Sequence, residues 1–148
     1  MSTAAQLSRE NVHFVRDNCL CLHVQRAARS LARRFDEALR PFDLTHGQFS
    51  LLMSLNRPEP PTIGSVAALL AMDRTTLTAN LKPLERRGLL TITVDAEDKR
   101  SRRLGITAAG RALLVRAFPV WQQGHVEAEF MIKHSSPDDL RAALRTLS

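Results

Sequence analysis

The sequence predicts a mainly α-helical chain with a small β-wing, a winged helix-turn-helix carrying N- and C-terminal dimerisation helices. Three observations lead there. Two apolar-striped segments lie close together between Thr62 and Gly88, separated by the short stretch Ala71-Met72-Asp73. Two strand-like runs follow, Leu89 to Val94 and Arg102 to Ile106, around the polar loop 95–101. Long amphipathic segments flank this unit on both sides, and a helix-turn-helix followed by a β-hairpin is a layout that lays one helix in a DNA groove.

The first long helix is read from Asn11 to Leu39. Leu20, Val24, Ala27, Leu31, Phe35 and Ala38 recur at spacings of three and four as one stripe to bury, while Arg26, Arg29, Arg33, Asp36 and Arg40 face water. Pro41 ends it, because the residue before a proline avoids helical angles. Thr45 caps the next helix, with Gln48 completing a capping box, and Arg57-Pro58-Glu59-Pro60-Pro61 is a stiff connector. A short helix from Ile63 to Leu70 leads through the turn to a second, Arg74 to Arg87, capped by Asp73 and ended at Gly88. Pro83 lies inside it and predicts a local distortion near Ala79. After the wing, Thr107 caps a helix reaching Lys133, kinked at Pro119, and Ser136 starts a last one from Pro137 to Leu147. Residues 1–148 are read as one domain, with 11–41 and 107–148 for dimerisation and 45–106 for binding. The flanking stripes need a partner surface, which a two-fold homodimer supplies; a compact monomer with the same helices folded back is the alternative.

Composition narrows the function. There are 21 Lys and Arg against 15 Asp and Glu, a formal net charge of +6. Residues 74–103 hold eight of the bases (Arg74, Lys82, Arg86, Arg87, Lys99, Arg100, Arg102, Arg103) against four acids, so two-thirds of the surplus sits on the proposed reading element. That is the electrostatic footprint of a polyanion. Tyr is absent and Trp occurs once, which disfavours an aromatic platform for single strands. No run approaches the roughly 20 apolar residues of a membrane span. Met1 to Glu10 lacks an apolar signal-peptide core, and Cys19-Leu20-Cys21 is no disulfide framework, so a cytoplasmic protein is expected. No Gly-rich phosphate loop, nucleophile–base pair or metal-binding repeat supports an enzyme or calls for a cofactor. A metal reading of His13, Cys19, Cys21 and His23 fails because two cysteines two residues apart on a helix diverge.

On the second helix of the reader, Leu77, Leu81 and Leu84 should pack inward, leaving Thr75, Thr78, Ala79, Lys82 and Arg86 outward. The short Thr75, Thr78 and Ala79 can approach base edges and thymine methyls, with Arg74 to the side. Lys82 and Arg86 suit the phosphate backbone, as do Thr62 and Ser65 on the preceding helix. First-turn capping is the competing role for Thr75 and Thr76. On the wing, Arg100 is assigned to a narrow minor groove, and of the alternating Arg102 and Arg103 only one should face DNA.

Three segments make the chain resemble the MarR family of bacterial transcription regulators over nearly its whole length. They are Asp73-Arg74-Thr75-Thr76-Leu77-Thr78, Leu84-Glu85-Arg86-Arg87-Gly88-Leu89 and the wing Asp98-Lys99-Arg100-Ser101-Arg102-Arg103, followed by Ile106-Thr107. The resemblance implies a dimer on a pseudo-palindromic double-stranded DNA operator, a repressor released by a signal, with Asp98 pairing with an arginine of its own domain. Two signals compete. Asn18-Cys19-Leu20-Cys21 resembles the N-x-L-C segment of the family's organic-hydroperoxide sensors, which puts Cys21 at the reactive position. The tyrosines that usually bond that thiolate would fall near Gln25 and Phe35, where no phenol exists. By heptad position Cys19 is read as the more exposed thiol and Cys21 as leaning toward the apolar stripe, where simple packing is its other role. A small organic effector is therefore preferred, in a cleft lined by Cys21, Gln25, Phe42, His46, Phe49 and Trp121, with Arg16 or Arg26 to neutralise a carboxylate. A winged helix that binds protein without DNA remains a further alternative, disfavoured by the polar outward face.

Overall fold

The computed structural model describes residues 7–148; Met1–Gln6, part of the segment read for a signal peptide, lie outside the described residues. In chain order the elements are α1 (Arg9–Asn18), α2 (Leu20–Leu39), a 3-10 turn (Arg40–Phe42), α3 (His46–Ser54), α4 (Ile63–Leu69), α5 (Arg74–Arg86), β1 (Leu90–Val94), β2 (Arg102–Ile106), α6 (Ala108–Phe130) and α7 (Pro137–Arg145). The fold is mainly helical with a two-stranded antiparallel wing, as the sequence predicts. No described helix is long and apolar enough to cross a membrane.

The single N-terminal helix is a correction. The backbone leaves the helix at Cys19 (φ −70°, ψ 108°), dividing it into α1 and α2. The cause is local: the Asn18 side-chain Nδ2 donates to the Phe14 carbonyl at 2.9 Å, and Cys19 Sγ accepts from the Leu22 backbone amide at 3.4 Å, capping α2. Only Phe35 and Leu39 of α2 are buried. Leu20, Val24 and Leu31, expected on a buried stripe, are exposed in the single chain, Leu20 at 70%. Asp36 is a second correction: it turns from water to accept from the His46 amide at 2.6 Å, at the start of α3.

The core sits where α2 packs on α3 and α6, and where α4 packs on α5. Leu39, Leu52, Val66, Leu77, Leu81 and Leu84 are fully buried there, each Leu contributing about 1.5–3 kcal/mol by leaving water. The caps are those the sequence announces. Thr45 and Gln48 form the reciprocal capping box, and Thr107 and Ser136 cap α6 and α7. Pro83 produces no break, however: α5 runs unbroken from 74 to 86, with the proline three residues from its end.

In the wing, Leu90 pairs with Ile106 and Val94 with Arg102. The proline-rich connector adds an edge, since Thr62 bridges Arg103 and the Leu104 amide donates to the Pro61 carbonyl at 2.9 Å. Gly88 supplies the left-handed residue (φ +70°) that turns α5 into β1. At Gly110, α6 crosses the wing base so closely that a Cβ would lie 2.2 Å from the Leu89 carbonyl oxygen. Only glycine allows that approach.

Candidate functional site

The reading helix is held from one face and presented on the other. Leu77, Leu81 and Leu84 are completely buried, and Thr75, Thr78, Ala79, Lys82 and Arg86 are exposed, in the division predicted. Asp73 fixes the first turn. One of its carboxylate oxygens accepts from the Thr76 amide and the other from the Thr76 hydroxyl, both at 2.8 Å. The amide bond foremost, and then the hydroxyl, holds the Asp73 carboxyl below the usual range. Thr76 is thus occupied as a cap partner, the competing role set out for it. Thr78 Oγ donates to the Arg74 carbonyl at 2.8 Å, so toward a ligand it offers a methyl group and lone pairs. The Arg74 guanidinium lies over Gly64, where a Cβ would come within 2.9 Å of it. Thr62 Oγ1 is engaged as the cap of α4, accepting from the Ser65 amide at 3.1 Å, while Ser65 Oγ donates to the Thr62 carbonyl at 2.9 Å.

On the wing the expected ion pair forms with a different acid. Arg103 binds Asp95, with Nε and Nη2 each 3.1 Å from Oδ2, and it donates to the Pro60 carbonyl at 2.9 Å. Asp98 instead accepts from the Arg100 amide at 3.0 Å, closing the loop locally. Position decides this: Asp95 follows the last residue of β1, two residues beyond Thr93, the register partner of Arg103, and so diagonal to Arg103, whereas Asp98 sits at the loop tip. The Asp95 carboxyl is held low chiefly by the Glu97 amide, with the Arg103 charge adding to it. Arg103 is therefore an internal tie between wing and connector. Arg102 curls over the loop, donating to the Lys99 and Ser101 carbonyls at 3.1 and 3.3 Å. Among the described residues, the side chains of Lys99 and Arg100 have no hydrogen-bond or ion-pair partner, and both are exposed.

Arg87 belongs to the basic footprint read from the sequence, yet it turns the other way. Its guanidinium donates to the carbonyls of Asp43 (2.5 Å) and Phe42 (3.3 Å). Two adjacent arginines before Gly88 look alike in sequence. Only the register of α5 separates Arg86, which points to solvent, from Arg87, which points to the end of α2.

The effector list is partly gathered. Trp121 on α6 stacks with Phe49 (centroids 5.8 Å apart), Phe35 (6.2 Å), Phe118 (5.9 Å) and His125 (4.9 Å), and His46 lies 5.4 Å from Phe35. A cleft of about 360 Å³ opens beside Phe49, Met53, Leu70, Phe118 and Trp121. Sequence reasoning missed Phe118, which falls three residues before Trp121 on the same helical face. Phe42 packs against the core. Cys21 and Gln25 are corrections: they lie on the exposed outer part of α2, bonded to each other at 3.4 Å, and line none of this cleft. Arg16 is engaged by its neighbour Asp17 at 2.6 Å, and Arg26 is exposed on the same outer stretch.

The two thiols exchange their expected exposures, Cys21 being exposed and Cys19 half-buried at the helix break. Because the backbone is already non-helical at Cys19, the divergence expected of two thiols on one helix does not describe them. His23 Nδ1 lies 2.7 Å from the Cys19 carbonyl oxygen. No group of three or more His, Cys, Asp and Glu among the described residues is arranged to hold a metal ion.

Comparison with known proteins places this geometry. The sequence model described as the MarR family matches residues 44–101, from the end of the first arm to the wing tip. The solved structure of the Mycobacterium tuberculosis transcriptional regulator MosR in complex with DNA is 36% identical, with a TM-score of 0.80 over 88% of this chain and 93% of that one. The organic hydroperoxide resistance transcriptional regulator of Bacillus subtilis is 29% identical over 73% of this chain and 74% of its own length. The regulator SarZ of Staphylococcus saprophyticus is 28% identical over 62% of this chain, which spans 63% of SarZ.

Proposed function

The chain belongs to the MarR family and is a DNA-binding transcription regulator, and from that premise we propose that it acts as a two-fold dimeric repressor released from its operator by a small organic ligand. The observation that carries the DNA reading is the division of α5. Three fully buried leucines fix the helix, and its opposite face presents two threonines, an alanine and two cations to solvent. An apolar outward face would have favoured a protein partner. In this reading Thr75, Thr78 and Ala79 approach base edges, and Arg74, Lys82 and Arg86 hold phosphates. The unpartnered Lys99 and Arg100 enter the flanking minor groove.

Dimerisation is supported by what the chain leaves uncovered. Val12, Val15 and Leu20 near the start, and Leu140 and Leu144 at the end, are exposed on amphipathic helices, with Leu147 exposed just past the last of them. A second copy covers such faces symmetrically and sets two reading helices about one DNA turn apart. The ligand reading rests on the aromatic cleft between α3, α4 and α6, which is apolar and within the size range of small-molecule sites. Cys21 favours a second reading, as a thiol sensor, because it is exposed and because the Bacillus relative is named for organic hydroperoxide resistance.

The test is a mobility-shift titration on a duplex selected from a random pool, at several salt concentrations. Affinity should fall steeply and linearly in log–log form as phosphate contacts release counterions. Inserting five base pairs between the half-sites turns one to the far side of the duplex. Unchanged affinity after that insertion would exclude the symmetric dimer, and no binding at low salt would exclude the DNA reading altogether.

A further inference from the structure

Two arginines end the reading helix, and they do different things. Arg86 is exposed. Arg87 is the C-cap residue of α5, its own amide bonded to the Pro83 carbonyl at 3.2 Å. Its side chain leaves the proposed DNA face altogether, spanning to the Asp43 carbonyl at 2.5 Å, the Phe42 carbonyl at 3.3 Å and the Asp43 carboxylate at 3.9 Å. Those acceptors belong to the turn that ends α2, more than forty residues away in sequence.

The acceptors are themselves fixed. Asp43 is one of two described non-glycine residues with positive φ (51°), a left-handed conformation uncommon for residues with a Cβ and reached more readily by aspartate than by most. Its amide donates to the Arg40 carbonyl at 2.9 Å. One turn back along α5, Pro83 faces the same cleft as Asp36, Asp43, Thr45 and Arg87. A planar guanidinium holding two successive carbonyls resists rotation as a point charge does not.

We propose that Arg87 is a positioning residue that fixes the angle between each reading helix and its dimer arm, and so sets which half-site spacing the regulator accepts. The proposal rests on the dimeric DNA-binding reading above. A free hinge at this point would let each reading helix follow half-sites of altered spacing; the Arg87 tie forbids it. One extra base pair moves a half-site along the duplex and rotates it by about a tenth of a turn.

The experiment measures affinity for the selected operator and for versions one base pair longer and shorter, using the full chain as wild type, Arg87→Met and Arg87→Lys. Circular dichroism and melting confirm that each is folded. Wild type should lose roughly tenfold on either altered spacing, the scale of one badly fitted base pair, and both variants at most about threefold. Arg87→Lys keeps the charge, so wild-type behaviour from it, together with a salt slope lowered by about one in Arg87→Met, would make Arg87 a phosphate contact and overturn the proposal. Undiminished spacing discrimination in both variants overturns it as well, whatever the slope. If the wild type itself binds DNA without any spacing preference, the dimer reading fails first and the strut with it.

Discussion

Among the cations of the reader, geometry separates those free to meet DNA from those already bonded. Arg103 is committed to Asp95 and Pro60, and Arg87 to the end of α2, whereas Arg100 and Lys99 stand unpartnered at the wing tip. Arg100→Ala is therefore expected to weaken operator binding broadly, lower the salt slope by about one and flatten preference for an A·T-rich flank. Thr78→Val keeps a methyl where thymine would lie but loses the hydroxyl lone pairs, so it should alter preference at particular base pairs and leave the salt slope intact. Equal, sequence-blind losses in both would remove the split between groove reading and base reading. A second pair of variants separates the acids of the wing. Asp95→Asn removes the ion pair that holds Arg103 to the end of β1, leaving it only the Pro60 carbonyl, and should weaken DNA binding more than Asp98→Asn, which disturbs only a loop amide. The sign with pH follows from the lowered Asp95 carboxyl. An unfolded aspartate titrates at about pH 3.9. With the folded value below that, the contribution of Asp95 is whole above about pH 5 and disappears as the pH falls through the folded value. The melting difference between wild type and Asp95→Asn should hold steady from neutral pH to about 5 and close in stronger acid. A difference that widens in acid would contradict the assignment.

At the scale of elements, the order and caps were legible in the sequence because they depend on neighbours. Asp73, Thr45, Gln48, Thr107, Ser136 and Gly88 each satisfy helix ends within a few residues. What was not legible depended on distant contacts or on a short polar residue competing with the helix. Asn18 and Cys19 interrupt an apolar periodicity that continues through them, so a periodic reading joins α1 and α2 into one. Asp95 and Asp98 look interchangeable until the strand register puts one of them beside Arg103. The aromatic cleft was half legible: Phe49 and Trp121 share it, but Cys21 and Gln25 lie on a part of α2 that extends beyond the core. Gly110 carries a different prediction at this scale. Its α-carbon passes the Leu89 carbonyl too closely for any side chain, and the Thr107 hydroxyl fixes that crossing by donating to the Gly88 carbonyl at 2.6 Å. Gly110→Ala, favourable for an isolated helix, should here destabilise the chain by about 1–3 kcal/mol through overpacking, seen as a lowered Tm. A raised Tm would mean that α6 can lift from the wing base without penalty.

For the whole molecule, the proposed ligand release raises the question of how a signal in the cleft would reach the DNA. The aromatic cluster joins α2, α3 and α6, the helices that lie between the exposed apolar arms and the reader. On the proposed reading, a ligand filling the cleft beside Trp121 would change the spacing of α3 and α6, and α3 leads into the connector that edges the wing. A ligand acts there only through unequal affinity for the DNA-bound and free conformations. A difference of about 1–3 kcal/mol weakens DNA binding roughly 5- to 150-fold. Cys21 stands apart from this route, exposed on α2 with Gln25 as its hydrogen-bond partner and no tyrosine anywhere in the chain to support a thiolate. Small aromatic compounds should therefore quench the fluorescence of the single tryptophan and release DNA equally from wild type and Cys21→Ser. Peroxide should release neither. If peroxide instead frees wild-type protein and leaves Cys21→Ser bound, the signal enters through the thiol at the head of α2 and the aromatic cleft is only core.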